Sequence, residues 1–377
     1  MSMPGCIQRA VFTMPEHPVI IAAGGTGGHV YPALAVACEL RDRDVAVHWV
    51  GTEKGLESRV VTESGFPFEK ITVSGLRGGG LLARVKGMVN VIVALGRSVA
   101  LIRRLRPAVV LGMGGYVSGP VCLAAKLCGS KMLVHEQNAV SGYTNRILAR
   151  FANRVMEAFP VTFDKTGSTD HHSVVHTGNP VRKDILAIDH PQHRLRDRTG
   201  PIRILVVGGS QGARALNEIV PAAIAQLNGS GFEICHQAGR GNRTSTAERY
   251  RESNTNVDVR EFIDDMADAY RWADLVVCRS GAMTVAELAA AGLASILVPY
   301  PYAVDDHQTA NGQFLCDAGA ALIIQESALT AQVLADEISR LCQSERLTLL
   351  TMATKARESI PRNATALVVE QLLELRS

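Results

Sequence analysis

Short apolar runs alternate along the chain with glycine-rich turns and with segments whose apolar residues recur every three or four positions. Residues 19–23 form such a run, followed by Gly24-Gly25-Thr26-Gly27-Gly28-His29 and a helical pattern through Leu34, Val36 and Leu40. The same unit recurs where residues 202–207 lead into Gly208-Gly209-Ser210-Gln211-Gly212-Ala213 and a helical pattern through Leu216, Ile219 and Val220. Between the two, run 45–50 ends at Gly51, run 108–111 at Gly112-Met113-Gly114-Gly115-Tyr116, and run 131–134 at His135-Glu136-Gln137-Asn138. Later, run 274–278 ends at Arg279-Ser280-Gly281-Ala282 and run 294–298 at Pro299-Tyr300. Apolar runs of strand length, each followed by a turn and an amphipathic segment, predict parallel strands covered by helices on both faces. The repeated opening predicts an α/β chain with two Rossmann-like, doubly wound parallel-sheet domains. The linker falls near Gly178-Asn179-Pro180-Val181-Arg182, or in the polar stretch 189–200.

Composition narrows the class. The chain has 377 residues, 47% hydrophobic and 20% charged, ordinary for a globular protein and too long for one small core. A net charge of +3 gives no reason to expect a nucleic-acid partner. Eight cysteines form no CxxC pair and no His cluster accompanies them, so they read as reduced thiols, and no metal or other cofactor is expected. There is no apolar run with a cleavage site, and none nears the roughly 18 residues of a spanning helix. The expectation is a cytoplasmic protein with residues 1–17 as a loose leader. Charge is uneven, however. From Lys70 to His135 there is no acid, while Arg77, Arg84, Lys86, Arg97, Arg103, Arg104, Lys126 and Lys131 all fall there. Leu76, Leu81, Leu82, Val85, Met88 and Val89 sit among those cations. Such a pattern suits an interfacial helix on anionic lipid, and equally an amphipathic core helix with a solvated basic edge. The apolar run 89–95 is interrupted by Asn90 and closed by Gly96-Arg97.

Ligands of open parallel sheets bind beyond the carboxyl ends of the strands, where all the turns above would lie. Two domains with sites at matching edges would face each other across a cleft, a geometry suited to joining two substrates. Glycines 208, 209 and 212 would let backbone N–H groups approach a phosphate at a helix start, with Ser210 adding a hydroxyl; a plain tight turn is the alternative. The turn is not GxGxxG, which counts against a dinucleotide. His29 falls in the first turn of a helix, where the dipole favours the neutral imidazole that can accept a proton, or it is a structural histidine. The stretch 280–287 also opens a helix; Glu287 could accept from ribose hydroxyls, or form a capping box with Ser280 or Thr284 as cap. Asp305-Asp306-His307-Gln308-Thr309-Ala310-Asn311 is a polar cluster whose amides could bind sugar hydroxyls. Its adjacent acids read as a solvated helix start. Arg182 could neutralise a leaving diphosphate or be an exposed linker cation.

Taken in order, these turns, with Ser74-Gly75-Leu76-Arg77-Gly78 and Phe262-Ile263-Asp264-Asp265-Met266, resemble the MurG family of N-acetylglucosaminyltransferases over essentially residues 18–370. The resemblance implies the GT-B fold. Domain 18–180 would take the acceptor, rejoined by a last helix at about 362–377, and domain 181–361 would take UDP-GlcNAc. It implies inverting transfer of GlcNAc to the C4 hydroxyl of undecaprenyl-diphosphate-linked MurNAc-pentapeptide, without cofactor, at the cytoplasmic face of the bacterial inner membrane. An anionic membrane surface and other cell-wall assembly proteins would be partners. Thr26, Gly27 and Gly28 would approach the donor sugar and diphosphate, with His29 as candidate base and Asn138 on the sugar. Arg182 and Ser210 would serve the diphosphate and Ile263 the uracil. Ala282, Met283, Thr284, Val285 and Ala286 would bind diphosphate and nucleoside, Glu287 the ribose and Gln308 the GlcNAc hydroxyls. One departure stands out: where some members have two consecutive glutamines, this chain has His307-Gln308. Two rivals remain open on sequence. An NAD-dependent dehydrogenase would need GxGxxG after the first strand, where this chain has GGTGGH. A non-enzymatic nucleotide-sugar-binding or membrane scaffold would release no UDP with any lipid acceptor.

Overall fold

The computed structural model describes residues 17–53, 55–73, 81–163, 174–209, 211–227, 231–251, 255–344 and 346–376, with backbone only at 81–86 and at Asn256. The expected leader (save His17), Leu76 and Ser210 therefore lie outside the described residues, as do the side chains of Leu81, Leu82 and Val85. The first half runs β1 (Val19–Ala22), α1 (Gly27–Asp42), β2 (Val47–Gly51), α2 (Leu56–Glu63), β3 (Phe68–Lys70) and α3 (Leu81–Leu105). It continues through β4 (Val109–Gly112), α4 (Ser118–Leu127), β5 (Lys131–Glu136), α5 (Tyr143–Ala149), β6 (Arg154–Glu157) and β7 (Val174–His176). Two short helices, α6 (Lys183–Leu186) and α7 (Pro191–Leu195), lead into the second half. There the order is β8 (Ile202–Val207), α8 (Arg214–Gln226), β9 (Phe232–Gln237), α9 (Arg243–Tyr250), β10 (Asn256–Arg260), α10 (Met266–Trp272) and β11 (Leu275–Cys278). Then come α11 (Ala282–Ala291), β12 (Ala294–Leu297), α12 (His307–Asp317), β13 (Ala321–Ile323), α13 (Ala331–Cys342), α14 (Leu347–Glu358) and α15 (Ala364–Arg376).

The strands make two sheets, ordered β3-β2-β1-β4-β5-β6-β7 and β10-β9-β8-β11-β12-β13. Every described pairing is parallel, with Ile21 opposite both Trp49 and Leu111 in the first sheet and Val206 opposite His236 and Val277 in the second. Val19, Ile20, Ile21 and Ala22 are all fully buried, as a strand covered on both faces must be. Hiding each large apolar side chain contributes roughly 1.5–3 kcal/mol, so these runs fix the strands more firmly than local propensity does. The last helix does not stay with the second sheet. Val368, Val369 and Leu372 of α15 share a core with Val30, Ala33 and Val36 of α1, on the first sheet.

The apolar run 89–95, closed in sequence by Gly96-Arg97, lies inside one helix, α3, that runs unbroken for 25 residues. A mid-helix glycine costs about 1 kcal/mol. Burial of Ala94, Leu101 and Ile102 in the first sheet's other core outweighs that cost. No described helix is long and apolar enough to cross a membrane.

The segment joining the halves is pinned to the second sheet by Asp274, which is fully buried at the start of β11. Its carboxylate accepts from Arg198 at 2.7 Å, from the Arg203 backbone N–H at 3.0 Å and from Arg346 at 3.1 Å. Removing one member leaves buried guanidinium groups uncompensated. Asp274→Ala is therefore expected to lower unfolding free energy by about 3–5 kcal/mol, read as a fall in the denaturant midpoint. A midpoint unchanged within error would show that the cluster holds nothing together.

Candidate active site

In each sheet the strand order reverses at one place, between β1 and β4 and between β8 and β11. Turns diverge there and open a crevice. The Gly24–His29 turn and the 112–116 turn flank the first crevice, and the 208–213 and 279–282 turns flank the second. In the first, α1 begins at Gly27 with Thr26 as its exposed N-cap, and Thr26 makes no side-chain cap bond. Gly27 and Gly28 are half-buried in the first turn, and His29 is the third helical residue. Gly114 and Gly115 press this turn from the β4 side, both with left-handed φ (92° and 78°). A Cβ on Gly114 would lie 2.6 Å from His29 Nδ1, and one on Gly115 2.2 Å from the Gly24 carbonyl oxygen, so only glycine fits either place.

Buried carboxylates tie down the turns after β1, β2 and β5. Glu57 accepts from the Gly25 N–H at 3.1 Å, the Thr52 N–H at 2.9 Å and the Thr52 hydroxyl at 2.6 Å. Glu136 accepts from the Asn138 N–H and side-chain amide, the Gly142 N–H and Asn145. His29 Nδ1 meets Gln137 Oε1 at 3.0 Å, and Gln137 Nε2 meets His135 Nδ1 at 3.1 Å. The sequence pattern assigned no role to Glu57, Gln137 or His135, and the contact that ties Gln137 to His29 joins residues 108 apart.

In the second crevice α11 starts at Ala282 with Gly281 as N-cap and no side-chain cap bond. The capping box that the spacing suggests does not form, and the N–H groups of Ala282, Met283 and Thr284 begin the helix without it. Ala282, Met283, Val285 and Ala286 are buried and Thr284 is half-buried. Glu287, buried one turn in, is used differently. Tyr270 donates its hydroxyl to Glu287 Oε2 at 3.1 Å, and Arg182 lies 3.4 Å from Oε1. Burial pushes the Glu287 carboxyl up from its ordinary value, and the Arg182 guanidinium opposes the push. Tyr270 is held as a donor because burial, and then Glu287, raise its pKa well above the usual phenol value. Ile263 is buried beside α11 in the same core. Ser280 Oγ is buried with no partner among the described residues.

The two crevices meet. Arg182, in the linker, stacks over the Tyr31 ring of α1 at 5.5 Å while reaching Glu287 of α11. Asn311 of α12 accepts from the Ala139 N–H at 2.7 Å and donates to Asn138 Oδ1 at 3.3 Å. Arg146 faces Asp305 at 3.5 Å. Asp306 accepts from Thr309, so both acids of that turn already have partners. Gln308 accepts from the Tyr300 N–H at 2.9 Å through Oε1, and His307 Nδ1 donates to the Val304 carbonyl at 2.7 Å. The structure thus brings Thr26, Gly27, Gly28, His29, Asn138, Arg182, Glu287 and the α11 start to one gap. On the outside of the first half, Met88 (59% exposed) and Val89 project from α3 with Ile92 (63%) and Val93. Leu123 and Leu127 of the adjoining α4 are exposed as well.

Comparison with known proteins agrees with this geometry. The model of the glycosyltransferase family 28 N-terminal domain matches residues 19–157, and that of the C-terminal domain matches residues 203–368. A Marinobacter nauticus protein is 45% identical over 361 residues, covering 96% of this chain and 98% of that one. A Nitrosococcus oceani protein is 48% identical over 360 residues, covering 95% and 99%. Both are named UDP-N-acetylglucosamine--N-acetylmuramyl-(pentapeptide) pyrophosphoryl-undecaprenol N-acetylglucosamine transferase. The crystal structure of Acinetobacter baumannii MurG superposes with a TM-score of 0.81 at 42% identity, over 96% of this chain and all of that one. A kitacinnamycin glycosyltransferase at 17% identity and a TM-score of 0.72 shares the fold. Two parallel sheets with facing switch points, matched end to end by these relatives, place the chain in glycosyltransferase family 28, as a member of its MurG family with the GT-B fold.

Proposed function

We propose that the protein is an inverting hexosyltransferase that moves GlcNAc from UDP-GlcNAc to the C4 hydroxyl of MurNAc-pentapeptide-diphospho-undecaprenol (lipid I), giving lipid II for peptidoglycan. The relatives' shared name supports donor and acceptor. The observation that carries the reading is the bridge from Tyr31 through Arg182 to Glu287, which sets the His29 turn opposite the α11 N-terminus. In this reading residues 18–180, with the C-terminal helix at about 362–377, hold the acceptor, and residues 181–361 hold the donor.

The acceptor oxygen attacks the anomeric carbon as the bond from that carbon to the diphosphate oxygen breaks, and configuration inverts. His29 takes the hydroxyl proton and passes it to solvent. UDP departs with the bonding pair. The uncapped N–H groups at the α11 start, the Gly208–Ala213 turn with Ser210, and the Arg182 guanidinium face its negative charge. Glu287 accepts the ribose hydroxyls, and Ile263 lies against the uracil. Thr26, Gly27 and Gly28 let the sugar and diphosphate come close to backbone, while Asn138 and Gln308 orient GlcNAc. Polar contacts between the halves close the gap around the donor and limit hydrolysis.

The exposed Met88, Val89, Ile92 and Val93 side chains of α3 rest on the anionic cytoplasmic face of the inner membrane, with Leu76, Leu81, Leu82 and Val85, outside the described side chains, preceding them in sequence. Arg97, Arg103 and Arg104 continue the helix beyond them. A lipid-borne acceptor is delivered from that side, where other cell-wall assembly proteins also work.

The deciding experiment measures UDP release from UDP-GlcNAc with and without lipid-linked muramyl-pentapeptide. Acceptor-dependent release is expected; none with any lipid acceptor would leave a binding protein instead. His29→Ala should cut kcat by about 100- to 10,000-fold with UDP affinity unchanged, and turnover within a few-fold of the parent would remove His29 from the chemistry. Glu287→Gln should raise KM for UDP-GlcNAc by roughly 10-fold or more, the loss of a charged hydrogen bond worth about 1.5–3 kcal/mol. An unchanged KM would move the ribose elsewhere. Replacing Met88 and Ile92 by Asp should reduce co-sedimentation with phosphatidylglycerol vesicles; undiminished binding would place the membrane contact on another face.

A further inference from the structure

The hydrogen bonds behind His29 have a direction, and the direction follows from chemistry alone. The chain starts at the Gly178 carbonyl, which lies 3.1 Å from His135 Nε2. A carbonyl oxygen only accepts, so His135 carries its proton on Nε2. His135 is fully buried, and that burial pushes its pKa down to about 4, so the ring is neutral and Nδ1 holds a lone pair. That lone pair faces Gln137 Nε2 at 3.1 Å. The same amide nitrogen lies 3.3 Å from the His135 carbonyl oxygen, a second group that can only accept. The amide orientation of Gln137 is thereby fixed by two acceptors rather than chosen. Its oxygen is turned to His29 Nδ1, 3.0 Å away, and this oxygen too can only accept. His29 must therefore carry its proton on Nδ1. In the neutral ring Nε2 is then left with the lone pair, and it has no hydrogen bond among the described residues.

We infer that Gln137, oriented by His135, is a positioning residue that holds His29 in the Nδ1–H tautomer and so leaves Nε2 as the atom that receives the acceptor's proton. The inference rests on the reading of His29 as base. A free neutral imidazole samples both tautomers, and in the other one Nε2 has no lone pair to offer. Three features keep the chain rigid. Gln137 and His135 are fully buried, Asn179 donates to the Gln137 carbonyl at 2.9 Å, and the His29 ring lies against Gly114. The far end of the chain is also informative. Gly178 (φ 76°) lies where the first sheet passes into the linker that carries Arg182, so base and diphosphate-facing cation are referred to one stretch of backbone.

The test uses the full chain labelled with ¹⁵N-histidine, the His29 signals being identified by their loss in His29→Asn. In the neutral form of His29, read on the alkaline side of its titration, a pyrrole-type Nδ1 and a pyridine-type Nε2 are expected. Gln137→Met keeps the length but neither donates nor accepts comparably. It should give a mixed tautomer signal and a kcat lower by roughly 10- to 100-fold, with KM for UDP-GlcNAc and UDP affinity unchanged. His135→Phe, which spares the His135 carbonyl, should shift both readouts the same way but less. A pyridine-type Nδ1 in the parent protein, or a tautomer that Gln137→Met leaves in place, overturns the inference whatever His29 does in turnover. Loss of the tautomer with kcat unmoved would overturn it too, and would locate the failure in the reading of His29 as base. Unchanged UDP affinity in the variants separates these outcomes from misfolding, and the parent spectrum decides even if both variants fail to fold.

Discussion

Parallel pairing is the constraint from which the site follows. When neighbouring strands run the same way, every strand-to-helix turn of a sheet falls on one edge, and every helix covering the sheet points its N-terminus there. Reversal of strand order next to β1 and next to β8 then parts two of those turns and leaves a crevice. What such a crevice offers is set before any side chain is chosen: unpaired backbone N–H groups and the positive ends of helix dipoles. A nucleoside diphosphate suits that field, and the two halves of the chain present it to each other.

Exposed turns made of glycine and small polar residues have little of their own to hold their shape, and the two halves solve this differently. In the first half Glu57 and Glu136 accept backbone N–H bonds from the turns above β1, β2 and β5, and Glu157 does the same for Val161 and Phe163 beyond β6. A carboxylate with several N–H donors replaces the water it loses on burial, so the charge is tolerated where a lone one would not be. In the second half backbone packs on backbone: a Cβ on Gly239 would lie 2.2 Å from Gly212 N. The half that bears the candidate base is thus braced by fixed side-chain charges. The second half relies mainly on close glycine packing, with Glu261 accepting from the Gly241 N–H beside it.

How much of this was legible in the sequence depends on range. Strands buried on both faces announce themselves as apolar runs, and β8 occupies the very stretch, 202–207, that the pattern picks out. His29 in a first helical turn was equally readable, because a Gly-rich turn and a helical period meet there. Contacts between distant segments were not. Nothing local at Gln137 points to His29, and nothing near Arg182 points to Glu287, 105 residues on. Local rules also misled where tertiary packing was stronger. The capping box at 280–287 does not form, and Tyr270 and Arg182 claim Glu287 instead. The family resemblance supplied roles that periodicity could not, since those roles depend on which turns face each other.

The contacts across the gap are of two kinds, exposed ion pairs and buried packing. Arg146 with Asp305 and Lys183 with Glu39 and Asp42 are ionic and partly exposed, whereas Asn311, which bonds Ala139 and Asn138, is fully buried and Phe159 packs edge-on against Phe314 of α12. Water can take over each exposed ionic partner when the halves separate, so the net loss per such pair is small, within about 1 kcal/mol. The buried Asn311 and Phe159 contacts hold more firmly. The turn that supplies part of this contact is itself under tension: Asp305 (φ 53°) and Asp306 (φ 49°) are successive non-glycine residues in the left-handed region, costing roughly 1–2 kcal/mol each. Arg146 and Thr309 hold those two acids, which ties the turn before Gln308 to the first half. Exchange of the exposed ion pairs and of that one turn asks neither sheet to deform.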